Sequence, residues 1–173
     1  MPKLIGRITK DLPELHQWAQ AQPFSALLHS HYARGRLECY YGLAVALTKT
    51  PEIYPGLSDA HVAALGDRLL PGWHSALLCQ YPPGVGINPH RDHSCFAKLA
   101  VMVNIGEANF FEYPGRDRIV TPLVDGAIVQ IDTKILHGVE PVAKTRYSLT
   151  FRHIKGEYLT GSIFASAKSQ PTK

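Results

Sequence analysis

The spacing of apolar positions divides the chain near residue 75. Over residues 11–20, Leu12, Leu15, Trp18 and Ala19 recur at helical intervals behind Asp11, a capping residue type, and an early proline, which predicts a short amphipathic helix. A second helix is predicted from Ser58-Asp59 through Val62, Leu65, Leu69 and Leu70, where Pro71-Gly72 stops it. Between them, residues 36–53 mix aromatics, small residues and the β-rich run Leu43-Ala-Val-Ala-Leu47, compatible with strand or loop. From Ala76 onward the pattern shortens to strands, predicted at 76–81, 98–104, 109–113, 119–123, 127–132, 137–141 and 146–153. Turn material such as Pro82-Pro83-Gly84, Pro114-Gly115-Arg116-Asp117 and Asp125-Gly126 separates them. Helices followed by many short strands, without crossover helices, favour an α+β domain whose sheet part is a jelly roll or barrel. The expected organisation is one domain over 1–161, helical and lid-like to residue 75 and jelly-roll beyond, with a small polar tail at 162–173 expected to be mobile.

The last predicted strand has the most informative pattern. In Arg146-Tyr-Ser-Leu-Thr-Phe-Arg152, a period of two puts Arg146, Ser148, Thr150 and Arg152 on one face and Tyr147, Leu149 and Phe151 on the other. Arginine on an inward face requires an anion, and its planar fork suits carboxylate or phosphate. Read alone, the segment is either an anion site or an edge strand with two solvated arginines.

Composition changes the picture only modestly. The 173 residues are 45% hydrophobic with a net charge of +4, which suits a soluble globular domain and permits a polyanionic partner without demanding one. Cys39, Cys79 and Cys95 show no Cys-x-x-Cys spacing, so they read as free thiols of a reducing compartment. The start lacks the apolar run of a secretory signal, and nowhere do about 18 apolar residues stand together. A cytoplasmic protein that engages no membrane, and a monomer, is the expectation.

Candidate chemistry begins at His90-Arg91-Asp92. On one strand the i, i+2 spacing brings imidazole and carboxylate to the same face, and His137 follows on a later strand. Two histidines and a carboxylate are the ligand set of the facial triad that holds non-haem Fe(II) with open positions for chemistry. Among nine histidines such spacing also arises by chance, leaving surface residues beside Pro89 as the alternative. Order and context sharpen it. Tyr81-Pro-Pro-Gly84 precedes His90, His137 continues into Gly138-Val139, and the two-arginine strand follows.

With those residues in that order, the segment from about Ala76 to His153 resembles the AlkB family of Fe(II)/2-oxoglutarate dioxygenases. Arg36-Leu-Glu-Cys-Tyr-Tyr-Gly42, with Pro51 and Leu57, is similar to that family's substrate-lid region. The resemblance implies a double-stranded β-helix core with N-terminal helices packed on one side. It implies His90, Asp92 and His137 as iron ligands, Arg146 on the distal carboxylate of 2-oxoglutarate, and Tyr81 hydrogen-bonded to that cosubstrate. Arg152 would hold the Asp92 carboxylate, or form a plain structural ion pair. Fe(II), 2-oxoglutarate and O2 would together oxidise a substrate C–H bond and release succinate and CO2.

The sequence departs from the family pattern at three places. Cys79 and Ser148 stand where the family has asparagines that help bind the cosubstrate, so with Ser148 at the cosubstrate site the expectation is either a lower affinity for 2-oxoglutarate or a tighter pocket; Cys79 also reads as a buried thiol filling a small space. After Asp92 come His93-Ser94 rather than acidic residues, and residues 43–48 replace a tyrosine-rich lid hairpin. The expected function is oxidative dealkylation of N-alkylated nucleic-acid bases, with Tyr40 and Tyr41 either stacking on a base or packing in the core. The alternatives are a hydroxylase or demethylase of a protein side chain or small metabolite, and a binding module of the same fold without turnover.

Overall fold

The computed structural model describes residues 1–26 and 33–160; the tail at 162–173 lies outside the described residues. In chain order the elements are β1 (Lys3–Arg7), α1 (Leu12–Gln20), β2 (Ser25–Ala26), β3 (Leu37–Ala46), β4 (Glu52–Pro55), α2 (Ala60–Leu69), β5 (Ser75–Tyr81), β6 (Ile87–His90), β7 (Phe96–Ile105), β8 (Ala108–Tyr113), β9 (Ile119–Leu123), β10 (Ala127–Asp132), β11 (Leu136–Val139), β12 (Arg146–Ile154) and α3 (Gly156–Leu159). The larger sheet runs β1-β10-β7-β12-β5-β3-β2 with β4 on β3, and the smaller runs β6-β11-β8-β9. Neighbouring strands in both are antiparallel.

Alternation along the strands builds two layers of core. Leu77, Cys79, Met102 and Ile131 of the larger sheet meet Ile87, Phe110, Leu123 and Val139 of the smaller one, filling the space between the sheets of a double-stranded β-helix. On the other face of the larger sheet, Tyr41, Leu78, Val103, Leu149 and Phe151 pack against Leu15 and Trp18 of α1 and Leu65 and Leu69 of α2. The expected α+β jelly roll with helices on one side is therefore the observed architecture. Asp59 ties the helical layer together: Oδ1 accepts the His61 and Val62 N–H groups at the start of α2, and Oδ2 accepts Trp18 Nε1–H from α1 at 3.0 Å. Asp11 does not take the capping role expected of it. Its backbone is left-handed (φ 59°), and the carboxylate makes no hydrogen bond to the first turn.

Strand β12 lies between β5 and β7. This excludes an edge strand with solvated arginines: Tyr147, Leu149 and Phe151 join the helix-facing core, and Arg146, Ser148, Thr150 and Arg152 line the opposite face.

The division at residue 75 does not survive as a division of layers. β1 pairs with β10, and β3 pairs with β5 from Leu37↔Gln80 to Gly42↔Ser75, so the N-terminal segment supplies strands as well as helices. β3 is covered on both faces along much of its length, so its apolar residues run together instead of alternating. β1 is a largely exposed edge strand, and Pro89 sits inside β6; neither offers the usual alternating signal. Among the described residues, no helix is long and apolar enough to cross a membrane.

Candidate metal centre

The two histidines are brought together by strand register. β6 and β11 pair with His137 opposite His90, and the ring centroids lie 4.6 Å apart. Asp92 arrives differently from the expectation of a shared strand face, because β6 ends at His90. The Asp92 N–H donates to Thr133 O at 3.0 Å, and this link to the β10–β11 connection holds its carboxylate beside the rings. Asp92 Oδ1 lies 3.7 Å from His90 Nε2 and 3.6 Å from His137 Nε2, and the three donor atoms fall within 4.8 Å of one another.

The protonation pattern suits a cation. His90 Nδ1 donates to Asn88 O at 2.9 Å and His137 Nδ1 to Ile135 O at 2.8 Å; a carbonyl can only accept, so the neutral form of each ring has its lone pair on Nε2. Burial, reinforced by His137, pushes the His90 pKa down to about 4, which keeps it neutral near pH 7. Burial alone would raise the Asp92 pKa, but the Arg152 guanidinium and His137 outweigh it and hold the carboxyl well below its ordinary range. Arg152 Nε donates to Asp92 Oδ2 at 2.7 Å, leaving Oδ1 toward the histidines. Two imidazoles that turn Nε2 toward one ionised carboxylate fit a divalent transition metal held on one side.

Farther along the same face of β12, Arg146 is fully buried opposite Tyr81 of β5. Its Nε donates to Asn104 Oδ1 at 2.8 Å, Nη2 lies 3.5 Å from Met102 Sδ, and Cζ sits 4.8 Å from the Tyr81 ring centroid. Nη1 is buried with no hydrogen-bond partner among the described residues. Burial lowers the Arg146 pKa, and Tyr81 and Cys79 oppose that shift only in part. An interior guanidinium that no carboxylate meets is costly, and the arrangement suits an anionic ligand.

Ser148 and Cys79 are cross-strand neighbours, both buried, and Ser148 also faces Asn104 on β7. Burial raises the Cys79 thiol pKa to about 11, so it stays protonated. The chain after Asp92 turns on itself: His93 Nδ1 accepts the Cys95 N–H, and Ser94 Oγ lies 3.4 Å from Tyr158 Oη.

The structure separates the two candidate stacking tyrosines. Tyr41 belongs to the helix-facing core, donating to Gln22 Oε1 at 2.6 Å with its ring 6.0 Å from Trp18, so it packs rather than stacks on a base. Tyr40 lies on the opposite face, within electrostatic range of Arg152 and Glu38, and burial pushes its phenol pKa up. Two further polar residues stand beside the site as a pair that the ordered motifs do not include: Arg36 Nη1 donates to Tyr81 Oη at 3.3 Å, and Nη2 forms an ion pair with Glu38. Their signal was present, since Arg36, Glu38 and Tyr40 alternate with Leu37, Cys39 and Tyr41.

No family model matches the chain, and no curated protein matches its sequence. Solved structures do resemble it. OsALKBH1 is 13% identical, with 88% of this chain and 100% of that chain covered at a TM-score of 0.65. The prolyl hydroxylase from Trichoplax adhaerens, in complex with a hypoxia inducible factor oxygen degradation domain peptide fragment, is 15% identical with 98% and 86% covered at a TM-score of 0.63. The Pseudomonas putida prolyl-4-hydroxylase is 16% identical with 90% and 92% covered at a TM-score of 0.59. At these identities the likeness is one of fold, the double-stranded β-helix.

Proposed function

We propose that this chain is a 2-oxoglutarate-dependent non-haem Fe(II) dioxygenase in which His90, Asp92 and His137 hold the iron. Arg146, Tyr81 and Ser148 would face the cosubstrate, and Arg152 would orient Asp92. The observation that carries this reading is that one face of β12 serves both needs. Arg152 holds the carboxylate of a two-imidazole, one-carboxylate donor set, and Arg146 presents a buried guanidinium that no carboxylate meets. The fold likeness to two prolyl hydroxylases and to OsALKBH1 supports it.

Such a centre, when bound, supplies the coupling of 2-oxoglutarate decarboxylation by O2, giving succinate and CO2, to insertion of the second oxygen atom into a substrate C–H bond. The chain's own part is positioning. The carbonyls of Asn88 and Ile135 fix the tautomers of His90 and His137, and Arg152 fixes one Asp92 oxygen. Arg146 supplies a preorganised anion contact whose desolvation cost is already met by the fold.

For the substrate, the reading is oxidative dealkylation of an N-alkylated nucleic-acid base, supported by the AlkB-like order of motifs, the net charge of +4 and the fold likeness to OsALKBH1. A second reading, oxidation of a protein side chain or small metabolite, is favoured by two observations. Tyr41 is withdrawn into the core, and the Trichoplax adhaerens prolyl hydroxylase, bound to a peptide fragment, is similar over 98% of this chain. Iron-loaded protein incubated with N-methylated oligonucleotides separates them: formaldehyde release supports dealkylation of bases, and succinate formation only with peptides or metabolites overturns it. A binding module without turnover predicts no succinate with any substrate, so slow uncoupled turnover that vanishes in His90→Ala excludes it.

A further inference from the structure

The surroundings of Tyr81 hold more positive charge than Arg146, its cross-strand neighbour, supplies alone. Arg146 Cζ lies 4.8 Å and Arg36 Cζ 5.8 Å from the Tyr81 ring centroid, so two guanidiniums converge on one phenol. Both reach it from neighbouring strands, Arg146 from β12 opposite Tyr81 and Arg36 from the residue before β3, next to the Leu37↔Gln80 pair. Glu38, almost fully buried, is paired with Arg36. Arg36 therefore has a carboxylate partner among the described residues, and Arg146 has none. Each guanidinium also keeps an unused donor: Arg36 Nε and Arg146 Nη1 are both buried with no hydrogen-bond partner among the described residues.

Were Arg36 present only to neutralise Glu38, its bond to Tyr81 Oη and its idle Nε would be costly leftovers. A further carboxylate accounts for all of them, because its two oxygens offer about four acceptor sites and its charge balances the second guanidinium. Two guanidiniums 4.8 and 5.8 Å from one ring centroid repel each other, and a shared carboxylate relieves that repulsion.

We infer that Arg36 is a second cosubstrate-binding cation, sharing the distal carboxylate of 2-oxoglutarate with Arg146 beside Tyr81, and that Glu38 is the positioning residue that holds it there. This rests on the proposed dioxygenase reading and deepens it. It also joins cosubstrate binding to β3, the strand that continues through β4 into the lid-like segment.

The test is anaerobic calorimetry on Mn(II)-loaded protein with 2-oxoglutarate and with 2-oxopentanoate, which has the same keto acid end and no distal carboxylate. Arg36→Met is expected to weaken 2-oxoglutarate binding about tenfold or more while changing 2-oxopentanoate binding less than about threefold. Arg36→Met/Glu38→Leu, which does not strand the Glu38 carboxylate, is expected to behave the same and covers a folding failure of the single variant. Binding of 2-oxoglutarate within about twofold of wild type in a folded variant overturns the inference. An equal loss for both keto acids overturns it too. If Arg146→Met abolishes 2-oxoglutarate binding and the Arg36 variants keep it, only the role of Arg36 fails. If the wild-type Mn(II) protein binds no 2-oxoglutarate, the dioxygenase reading fails with it.

Discussion

Arg152 donates Nε–H to Asp92 Oδ2 at 2.7 Å, and this bond decides which carboxylate oxygen faces His90 and His137. Asp92 sits beyond the end of β6, where a strand no longer fixes its direction, so the guanidinium does that work. Arg152→Met is expected to weaken Mn(II) binding roughly 10- to 100-fold, the usual cost of losing a partner that orients a ligand. Calorimetric titration with Mn(II) measures it, and an unchanged affinity would show that Thr133 O alone holds Asp92 in place.

The same pair makes a stability prediction. In metal-free protein, Asp92→Ala leaves the Arg152 guanidinium buried without its carboxylate, at an expected cost of roughly 3 to 5 kcal/mol. Asp92→Ala/Arg152→Met removes the stranded charge and is expected to recover most of that loss. Urea unfolding monitored by tryptophan fluorescence compares the two, and a single variant as stable as the double would contradict the argument.

Gly138, next to His137 in β11, lets the two histidine-bearing strands approach closely. A Cβ there would meet Ile87 O of β6 at 2.5 Å and Phe111 Cζ at 2.5 Å. Gly138→Ala is therefore expected to push β6 from β11, destabilise the fold by about 1 to 3 kcal/mol, and lower metal affinity although no ligand is touched. Thermal unfolding with and without Mn(II) reads both effects.

The pH dependence of the metal-free protein follows from His90, whose pKa is about 4 folded against an ordinary 6.5. Above about 6.5 both states are neutral at this position and its contribution is flat. Between 6.5 and 4 the unfolded chain takes up a proton that the folded chain refuses, so stability falls as pH falls, by on the order of 2 kcal/mol across the interval. Denaturation with a chelator present at pH 7, 5.5 and 4.5 measures the slope. His90→Gln should flatten part of it, and equal slopes in both proteins would remove His90 as the cause.

Much of the β-rich half was legible before any coordinates. The strand at 119–123 has the predicted bounds, and 98–104 and 146–153 are extended by one or two residues at their ends. Alternation and turn residues act locally, so they survive in sequence. β1, β2, β4 and β6 were missed because a short or edge strand is specified by its partner, with little pattern of its own. For the site, ordered motifs brought His90, Asp92, His137, Tyr81, Arg146, Ser148 and Arg152 onto one page; Arg36 and Glu38 were present in the lid-like segment without an assigned role.

The sequence by itself determined the alternation of the strand from Arg146 to Arg152, the His90-x-Asp92 spacing and the apolar helix faces, because each depends on residues only a few positions apart. Only the tertiary structure decided that this strand is central, that its arginines point inward, that Tyr41 and Tyr40 part company, and that Arg36 and Arg146 both approach the Tyr81 ring. Those relations join residues as many as 110 positions apart in the chain, from Arg36 to Arg146. Strand register and the cost of burying charge set them, and neither is written into any one segment.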